Sequence, residues 1–374
     1  MRFTLSSAVL ASRLITLQKV QNSKNSIQIL DCILFEVSNG TLELTSSDKE
    51  NEMKISLPLD ESDADGRFAI NSRTIVDAVK ELPEQPITIE VDTTTYAVRI
   101  ISQNGDYKFS AQSAEEFPMA QSLNEDATTV TLPSSVLLDN ISRSIFATVA
   151  DEIRPVMNGI YFDFTPEALA IVATDGHKLV RNRMLDIKTE NPVSFILSKK
   201  PAGILRNTLA HDDSEVVIRF DNSNAEITCS FGTMKCRLIE GRYPNYNSVI
   251  PVDNPYELTI DRKALAGAVR RVLPFASESS QLERLHIAEG ALEISAEDLD
   301  FYTSAKESIT CDYAGNTMNI GFKGSSLLEL LNNLTSDEVT LKLADPSRPC
   351  LILPTEQPEG QDVLMLIMPM LLGD

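Results

Sequence analysis

Tryptophan is absent from this chain of 374 residues, and histidine occurs only three times, as His177, His211 and His286. The five cysteines are an odd number, contain no CxxC motif and have no histidine at metal-ligand spacing, so a metal site is not predicted. Cys229 and Cys236 would face each other if one hairpin held both, but buried reduced thiols are the favoured interpretation. A glycine-rich phosphate-binding loop does not occur either. We therefore expect no metal and no cofactor.

Long hydrophobic runs are also missing. The longest charge-free apolar run, 363–372, has ten residues and contains Pro369, and a helix needs about 20 apolar residues to cross a bilayer. The chain starts with Arg2 and a polar-interrupted segment, which is not the apolar core of a signal peptide. We expect a cytoplasmic protein that does not contact a membrane.

A strand that leads into an amphipathic helix is written three times. The copies start at residues 3, 130 and 258, and their threonines Thr4, Thr131 and Thr259 lie 127 and 128 residues apart. In each copy a Ser, Pro-Ser or Asp stands where a helix begins. A repeat of this length has the size of a domain, not of a solenoid unit. The sequence therefore predicts three similar domains in tandem.

Each repeat continues with alternating strands and a second strand-to-helix step. The predicted helices cover 6–20, 72–82, 133–149, 198–210, 261–273 and 323–334. This gives two helices and about eight strands per repeat, an α+β fold. Polar or turn-rich linkers at 120–126 and 251–255 place the domains at 1–122, 128–252 and 253–374.

The charge is distributed unevenly. The whole chain carries −21, whereas the six helical windows hold 13 Lys and Arg against 5 Asp and Glu, a net of +8, which leaves −29 for the remainder. Lys199, Lys200, Arg206, Lys263 and Arg270 give the helices of the second and third repeats their basic faces. The usual interpretation of such charges is a solvated face. A positive surface within an acidic protein, however, favours the backbone of duplex DNA without sequence reading.

Two further segments can be interpreted in more than one way. Asp175-Gly176-His177 places a carboxylate two residues from an imidazole, as an acid–base pair in a hydrolase requires, but it also has the composition of a tight turn, and no nucleophile-elbow motif accompanies it. Met365, Met368 and Met370 cluster around Pro369 near the end of the chain, either as part of a final core strand or as an adaptable binding surface.

Three motifs resemble those of a known family. They are VATDGHKL at 172–179, EGRYPNY at 240–246 and Met-Pro-Met at 368–370. Together with the three tandem copies they make the full chain similar to the bacterial sliding clamps, the β subunit of the DNA polymerase III holoenzyme, an assembly that also includes a 3′–5′ exonuclease. The resemblance implies a non-enzymatic processivity factor in DNA replication.

The resemblance also implies an architecture and partners. Two chains would form a head-to-tail homodimeric ring of domains of the DNA-clamp type, with helices inside, sheets outside and duplex DNA in the hole. The implied partners are the catalytic subunit of DNA polymerase III, the clamp loader complex and other proteins that carry a clamp-binding motif. A protein–protein scaffold that does not encircle DNA is the alternative from another class, and it leaves the basic helices unexplained.

Three sets of residues follow from the resemblance. A cleft for partner peptides would be lined by Met157, Thr174, Gly176, His177, Lys178, Leu179, Pro244, Val249, Leu366, Met368, Pro369 and Met370. The DNA-facing residues would be Lys24, Arg73, Lys199, Lys200, Arg206, Lys263 and Arg270. The dimer contact would join Lys108, Phe109 and Ala111 of one copy to Leu273 and Phe275 of the other.

The chain departs from the family pattern at three positions. Lys178 stands where Arg is common after the Asp-Gly-His turn, which would alter bidentate or stacked contacts. Leu371 follows the Met-Pro-Met run where a basic residue is common, so the preferred motif is expected to differ. Met157 replaces the usual Leu, a change of similar volume that we expect to be tolerated.

Overall fold

The computed structural model describes residues 1–25, 27–151, 153–211 and 213–372. Within these residues the chain forms six α-helices: α1 Ser7–Gln18, α2 Ser72–Val79, α3 Ser134–Ser144, α4 Lys199–Thr208, α5 Arg262–Val272 and α6 Gly324–Asn332. Short 3₁₀ helices include Ile145–Ala147, Pro155–Asn158, Leu209–His211, Tyr246–Val249 and Leu273–Phe275.

The strands of the first repeat are β1 Arg2–Ser6, β2 Cys32–Ser38, β3 Thr41–Ser47, β4 Asn51–Pro58, β5 Glu61–Ser62, β6 Gly66–Asn71, β7 Pro86–Val91, β8 Ala97–Ile101 and β9 Asp106–Ser110. Those of the second are β10 Thr128–Pro133, β11 Gly159–Phe164, β12 Leu169–Thr174, β13 Lys178–Met184, β14 Val193–Ser198, β15 Glu215–Phe220, β16 Asn224–Cys229 and β17 Gly232–Arg237. Those of the third are β18 Tyr256–Asp261, β19 Leu282–Ala288, β20 Ala291–Asp298, β21 Thr303–Thr310, β22 Asp312–Tyr313, β23 Met318–Lys323, β24 Glu338–Leu343, β25 Cys350–Pro354 and β26 Gln361–Ile367.

All six predicted helices are confirmed, with ends that shift by at most five residues. Two of the predicted start residues cap their helices as expected. The hydroxyl of Ser6 accepts a hydrogen bond from the amide of Val9 at 3.2 Å, and the carboxylate of Asp261 accepts one from the amide of Ala264 at 2.6 Å. Each cap pairs an amide that the first helical turn leaves without a partner.

The strands form four antiparallel sheets, and their pairing repeats three times. In each repeat the first strand pairs with the strand that follows the second helix, as Leu5 opposite Ile87, Leu132 opposite Val216 and Ile260 opposite Val339. The first residue of each first helix adds the same backbone bond, from Ser7 to Gln85, from Ser134 to Ser214 and from Arg262 to Asp337. The repeat seen in the sequence is thus a repeat of hydrogen bonding.

The chain divides into two compact units. Unit 1 contains Met1–Leu138 and Lys200–Leu238, and unit 2 contains Asp139–Lys199 and Ile239–Asp374. The division cuts through the central repeat because its strands complete two different sheets. In unit 1, β17 pairs with β4 and joins strands of the first two repeats into one sheet of order β10-β15-β16-β17-β4-β3-β2-β6. In unit 2, β13 pairs with β26 and joins strands of the last two repeats into one sheet of order β14-β11-β12-β13-β26-β25-β24-β18-β22. The domain limits at 1–122, 128–252 and 253–374 stay predictions.

The helices bury one apolar stripe each. In unit 2 the predicted stripe Leu265, Val269 and Val272 of α5 is buried, and α5 packs beside α6. In unit 1, α1 packs beside α2 with Leu10 and Leu14 fully buried. Such helical spacing places one face of each helix on the sheets and the other in solvent.

No disulfide bond is formed among the cysteines of the described residues. Cys229 and Cys236 lie on the same hairpin of unit 1, but Cys236 is opposite Ala225 and Cys229 is opposite Gly232. The two thiols therefore do not face each other. Cys229 belongs to the pair next to the turn, and Cys236 belongs to a pair four positions further along the ladder. In the part of the chain that the structure describes, no helix has the length and hydrophobicity needed to span a membrane, and the cytoplasmic location stays a prediction.

Candidate functional site

The turn between β12 and β13 in unit 2 is held by Asp175. One carboxylate oxygen accepts hydrogen bonds from the amides of His177 and Lys178, both at 2.8 Å. The hydroxyl of Thr174 donates to the carbonyl of Lys178 at 2.7 Å, and Gly176 occupies a backbone conformation with φ of +89° that favours glycine. The segment is the tight turn that its composition indicates, and it presents His177 at the surface.

The second carboxylate oxygen of Asp175 belongs to a buried ion pair. It lies 2.8 Å from the ammonium of Lys178, which is also 3.0 Å from the carboxylate of Glu329 on α6. Burial acts to lower the pKa of Lys178, but the hydrogen bonds to the two carboxylates outweigh it and raise that pKa. Both carboxylate oxygens of Asp175 are thus engaged, one by the backbone amides of the turn and the other by the ammonium of Lys178. This carboxylate is therefore not available to form the acid–base pair with His177 that the hydrolase interpretation requires.

An apolar cluster lies beside this turn and contains two residues predicted for the partner-peptide cleft, Leu179 and Leu366. We call that candidate cleft the groove. Leu179 and Leu366 are opposite each other where β13 pairs with β26, and both are almost fully buried in a cluster with Val172, Tyr243 and Leu351. In the predicted cleft they would be the floor. A groove of this composition suits the apolar side chains of a peptide, which it removes from water.

Several side chains predicted for the rim of the groove are accessible at the surface. Val249 is 49% exposed and Met368 is 38% exposed, which leaves much of their apolar area available to a ligand. Pro244 is also exposed, whereas Met157, on the 3₁₀ helix Pro155–Asn158, is half-buried. The guanidinium of Arg154 donates to the carbonyl of Asp175 at 3.5 Å and connects this 3₁₀ helix to the turn.

The end of the chain is fixed at two points in unit 2. The amide of Met368 donates to the carbonyl of His177 at 2.8 Å, and the amide of Met370 donates to the carbonyl of Gly321 on β23 at 2.8 Å. Met365 is fully buried, so β26 is a core strand up to Ile367. The two interpretations of the methionine-rich run therefore apply to different parts of it: Met365 is core, Met368 is exposed, and Pro369 and Met370 are half-buried.

Sequence reasoning missed several neighbours of the groove. Val172 and Leu351 belong to the same buried cluster as Leu179 and Leu366, and the ring of Tyr243 stacks on Tyr161 with centroids 4.6 Å apart. The hydroxyl of Tyr246 donates to Asp163 at 2.8 Å beside a cavity of about 420 Å³ that includes Pro244. Strand alternation would have assigned Val172 to the same face as Ala170, but Leu351 becomes a neighbour only through the pairing of β25 with β26.

The corresponding junction in unit 1 has different chemistry. There the second pair after the turn is Glu52 opposite Lys235, in the position that Leu179 and Leu366 take in unit 2. Glu52 is buried and accepts a hydrogen bond from the amide of Ala120 at 2.8 Å, and Lys235 lies 3.8 Å from Glu226. A charged pair beneath the linker replaces the apolar floor, so this junction does not offer the same groove.

The basic residues of unit 1 differ in their surroundings. Lys24, Arg73 and Arg206 are exposed, and the side chain of Arg73 is 88% accessible. Lys200 instead lies 2.5 Å from the buried carboxylate of Asp48 and 2.7 Å from the side-chain oxygen of Asn22. Its charge is largely neutralised within unit 1.

In unit 2, Lys199, Lys263 and Arg270 are exposed. Arg270 donates to the side chain of Asn332 at 3.3 Å, and among the described residues Lys199 and Lys263 have no ion-pair partner. Arg271 instead pairs with Glu307. Lys200 and Arg271 are thus held in ion pairs. Fewer cations therefore remain for the predicted positive face than the number of Lys and Arg residues in the helical windows.

The residues predicted for the dimer contact lie at two open sheet edges. In unit 1, Lys108 and Phe109 are on β9, the outer strand of the sheet β5-β1-β7-β8-β9, and Ala111 follows it. In unit 2, Leu273 and Phe275 form a 3₁₀ helix after α5, which also contacts β21, the outer strand of the sheet β21-β20-β19-β23. Groups of three or more side chains able to hold a metal were not found among the described residues.

Comparison with known proteins gives one consistent result. Profiles of the DNA polymerase III beta subunit match the chain in order: the N-terminal domain over residues 1–121, the central domain over 131–245 and the C-terminal domain over 247–371. The beta sliding clamp of Pseudomonas putida is 28% identical over 372 residues, and that of Escherichia coli K12 is 27% identical over 372 residues. Each match covers 99% of this chain and 100% of the relative. The crystal structure of the DNA polymerase III subunit beta from Pseudomonas aeruginosa matches with a TM-score of 0.92 at 25% identity, over 100% of both chains.

Three tandem α+β domains that share antiparallel sheets define a clamp-type protein without a catalytic site. The chain belongs to the family of the DNA polymerase III beta subunit, the bacterial beta sliding clamps. It is a processivity factor of DNA polymerase III, and membership implies DNA and DNA polymerase III as partners. The predictions of fold class, family and a non-enzymatic function are confirmed.

Proposed function

We propose that two copies of this chain close head to tail around duplex DNA and that partner proteins, the catalytic subunit of DNA polymerase III among them, bind in the apolar groove of unit 2. The clamp loader complex would open the ring, and other proteins with a clamp-binding motif would share the groove. The observation that carries the proposal is that β9 and β21 are both edge strands. Pairing them would repeat the strand pairing that joins successive repeats within the chain.

The rule is the same at both junctions inside the chain. The last strand of one repeat pairs antiparallel with the third strand of the meander in the repeat before it, as β17 does with β4 and β26 with β13. The last strand of the first repeat, β9, and the third meander strand of the third repeat, β21, are the edges that remain. Pairing β9 of one copy with β21 of another applies the rule a third time and satisfies their backbone groups.

Exposed cations support the contact with DNA. Arg206 in unit 1 and Lys199, Lys263 and Arg270 in unit 2 are exposed on helices of a chain whose net charge is −21. Lysine and arginine that neutralise phosphates give binding that does not depend on base sequence and weakens with salt. Contacts of this kind let a closed ring move along the duplex.

The groove supports the contact with partners. Its floor is Leu179 and Leu366, and its rim includes Val249 and Met368, so it suits a short motif with an apolar end. Thr174 and His177 supply polar groups near one end of the groove. Because the ion pair of Lys178 is internal, a peptide would meet the backbone of this turn and not the ammonium.

Retention on circular DNA tests the proposal. The protein is loaded with a clamp loader from a related bacterium onto a nicked circular plasmid, and the plasmid is then cut once with a restriction enzyme. A ring stays on the circle in high salt and slides off when the plasmid is linearised. Equal retention on both forms, or a protein that is monomeric at micromolar concentration, would contradict encirclement and favour the scaffold interpretation.

A further inference from the structure

In each repeat the chain returns, after the last strand, to a sheet edge that the same repeat provides. The edge strands are β6, β14 and β23. The paired residues are Gln112 with Ala69, Ile239 with Ile196 and Met370 with Gly321. Each position on the edge strand lies three residues before the second helix of its repeat. The three contacts are therefore equivalent.

In the first two repeats an aromatic side chain of the returning segment covers the strand next to this edge. The residue opposite the edge position is Leu34 in the first repeat and Tyr161 in the second. Leu34 is fully buried in a cluster with Phe117, and Tyr161 stacks on Tyr243 with ring centroids 4.6 Å apart. An aromatic residue that is followed by a proline thus covers this position in both repeats.

The third repeat has a charged residue at this position, Arg284, which is opposite Gly321. Arg284 is exposed, and it has no ion-pair partner in the part of the chain that the structure describes. Residues 371–374, Leu-Leu-Gly-Asp, contain no aromatic side chain. The position that an aromatic ring covers in the other two repeats is therefore accessible in the third.

Arg284 lines an open cavity of about 540 Å³ on unit 2. Arg284, Ser295 and Lys306 are opposite one another on three neighbouring strands, so their side chains share one face of the sheet. Lys306 lies 2.7 Å from the carboxylate of Glu293, and the carboxylate of Glu297 also lines the cavity. Arg284 is therefore the cation of this face that an incoming carboxylate can pair with.

The segment 368–372 connects this cavity to the groove. Met368 is predicted for the rim of the groove, Met370 pairs with Gly321 beside Arg284, and Leu372 lines the cavity. About five extended residues span the length of such a segment. A partner chain that continues from the groove along this segment would therefore reach Arg284.

We infer that the face around Arg284 binds a second, extended segment of a partner protein, one that carries an aromatic residue and a carboxylate. The aromatic ring would stack on the guanidinium of Arg284, in the place that Phe117 and Tyr243 fill in the other repeats, and the carboxylate would pair with the edge of the same guanidinium. This inference rests on the proposed function, because the segment is a continuation of the motif that binds in the groove.

Labelled peptides test the inference on the full-length protein. The core peptide ends in Leu-Phe, which suits the apolar groove. Two extended peptides add Glu-Glu-Phe-Pro-Met, the sequence of residues 115–119 of this chain, through a flexible Gly-Ser linker at the amino end or at the carboxyl end. Fluorescence polarisation measures the affinities, and at least one extended peptide is expected to bind about fivefold or more tighter than the core peptide, because its second contact is intramolecular.

Arg284→Glu is expected to remove this gain, measured as the ratio of the two affinities in the same variant. Lys188→Glu is the matched control, since Lys188 is exposed in the loop between β13 and β14 of the same unit, and the gain is expected to remain. An extended peptide with Lys-Lys in place of Glu-Glu is expected to lose the gain on the wild type and to recover it on Arg284→Glu. Replacing the phenylalanine of the extension by serine is expected to reduce the gain without a change of charge.

The outcomes separate this inference from the proposed function. Extensions that add nothing on the wild type, or a gain that Arg284→Glu retains, overturn the second contact and leave the groove standing. A core peptide that does not bind the wild type overturns both. Circular dichroism of each variant separates loss of the contact from loss of folding, and the Lys-Lys peptide tests the same contact on the unaltered protein.

Discussion

The amide of Met368 donates a hydrogen bond to the carbonyl of His177 at 2.8 Å. This bond joins the end of β26 to the turn before β13 and continues the ladder in which Leu179 is opposite Leu366. The two segments that would border the proposed groove are therefore held at a fixed spacing although they come from different repeats. A groove that is formed before its ligand arrives loses little entropy when a peptide binds.

The rim of this groove gives the first prediction. Met368→Asp is expected to lower the affinity for a peptide with an apolar end by about tenfold or more, because a carboxylate would have to be desolvated against the ligand. Met368 is 38% exposed, so folding is expected to be retained. Fluorescence polarisation with a labelled peptide measures the affinity.

Val252→Asp is the control for this experiment. Val252 is fully exposed in the linker, so the same apolar-to-acidic change is made outside the groove and the affinity is expected to stay the same. Equal losses in both variants would show that net charge, and not the groove, governs binding.

The ion pair of Lys178 gives the second prediction. Lys178→Met leaves the mostly buried carboxylate of Asp175 without its cation and is expected to lower the free energy of unfolding by roughly 1–3 kcal/mol. Glu329 is about half exposed, so Glu329→Gln is expected to cost about 0.5 kcal/mol or less. Urea unfolding at pH 7 compares the two variants, and an equal cost for both would contradict the burial argument.

The same pair sets a dependence of stability on pH. Burial acts to raise the pKa of Asp175, but hydrogen bonds from Lys178 and from two backbone amides outweigh it and hold that pKa below its usual value. The stabilisation from Asp175 is therefore present above about pH 4 and is lost as the pH falls through its lowered pKa. The pKa of Lys178 is raised, so its contribution is present below about pH 10 and is lost as the pH rises through the raised value. Asp175→Asn is expected to remove the acidic part of this dependence.

The third prediction concerns Glu283, a fully buried carboxyl group on β19 in unit 2 whose two oxygens have no hydrogen-bond partner among the described residues. Burial raises the pKa of Glu283 to about 8. Between about pH 4.3, the unfolded value, and about pH 8 the folded protein retains a proton that the unfolded chain has lost. The free energy of unfolding is therefore expected to fall as the pH rises, by about 1.4 kcal/mol per pH unit in that range.

Glu283→Gln keeps the shape of the side chain and removes its titration. The variant is expected to gain stability relative to the wild type as the pH rises from 5 to 8, which urea unfolding at several pH values measures. Glu297→Gln, at an exposed position of the neighbouring strand β20, is the control and is expected to show no such trend. A difference between the Glu283 variant and the wild type that is the same at every pH would refute a raised pKa.

The exposed cations of the helices give the fourth prediction. Lys199→Gln with Lys263→Gln is expected to shorten retention on circular DNA and to flatten its dependence on salt, because two phosphate contacts are lost in each copy of the ring. Lys54→Gln with Lys342→Gln removes two charges that pair with glutamates on strands, and retention is expected to stay the same. Equal effects of the two double variants would indicate that total charge, and not position, matters.

The local structure of this protein followed from its sequence. The six helices were predicted within a few residues because apolar spacing and capping residues such as Ser6 and Asp261 act over one or two turns. The three copies identified the repeat, and the motif at 172–179 indicated the family and the turn of Asp175. Each of these features depends on residues that are close together in the chain.

Pairing between distant segments was decided only in the folded chain. The sequence does not show that the central repeat divides its strands between two sheets, that Leu351 completes the floor of the groove, or that Glu52 and Lys235 replace that floor in unit 1. It also counts Lys200 as a free cation, whereas Asp48 holds it in an ion pair. Strand order and ion pairs depend on which residues meet across the fold, and the free energy of those contacts belongs to the tertiary structure and not to any one segment.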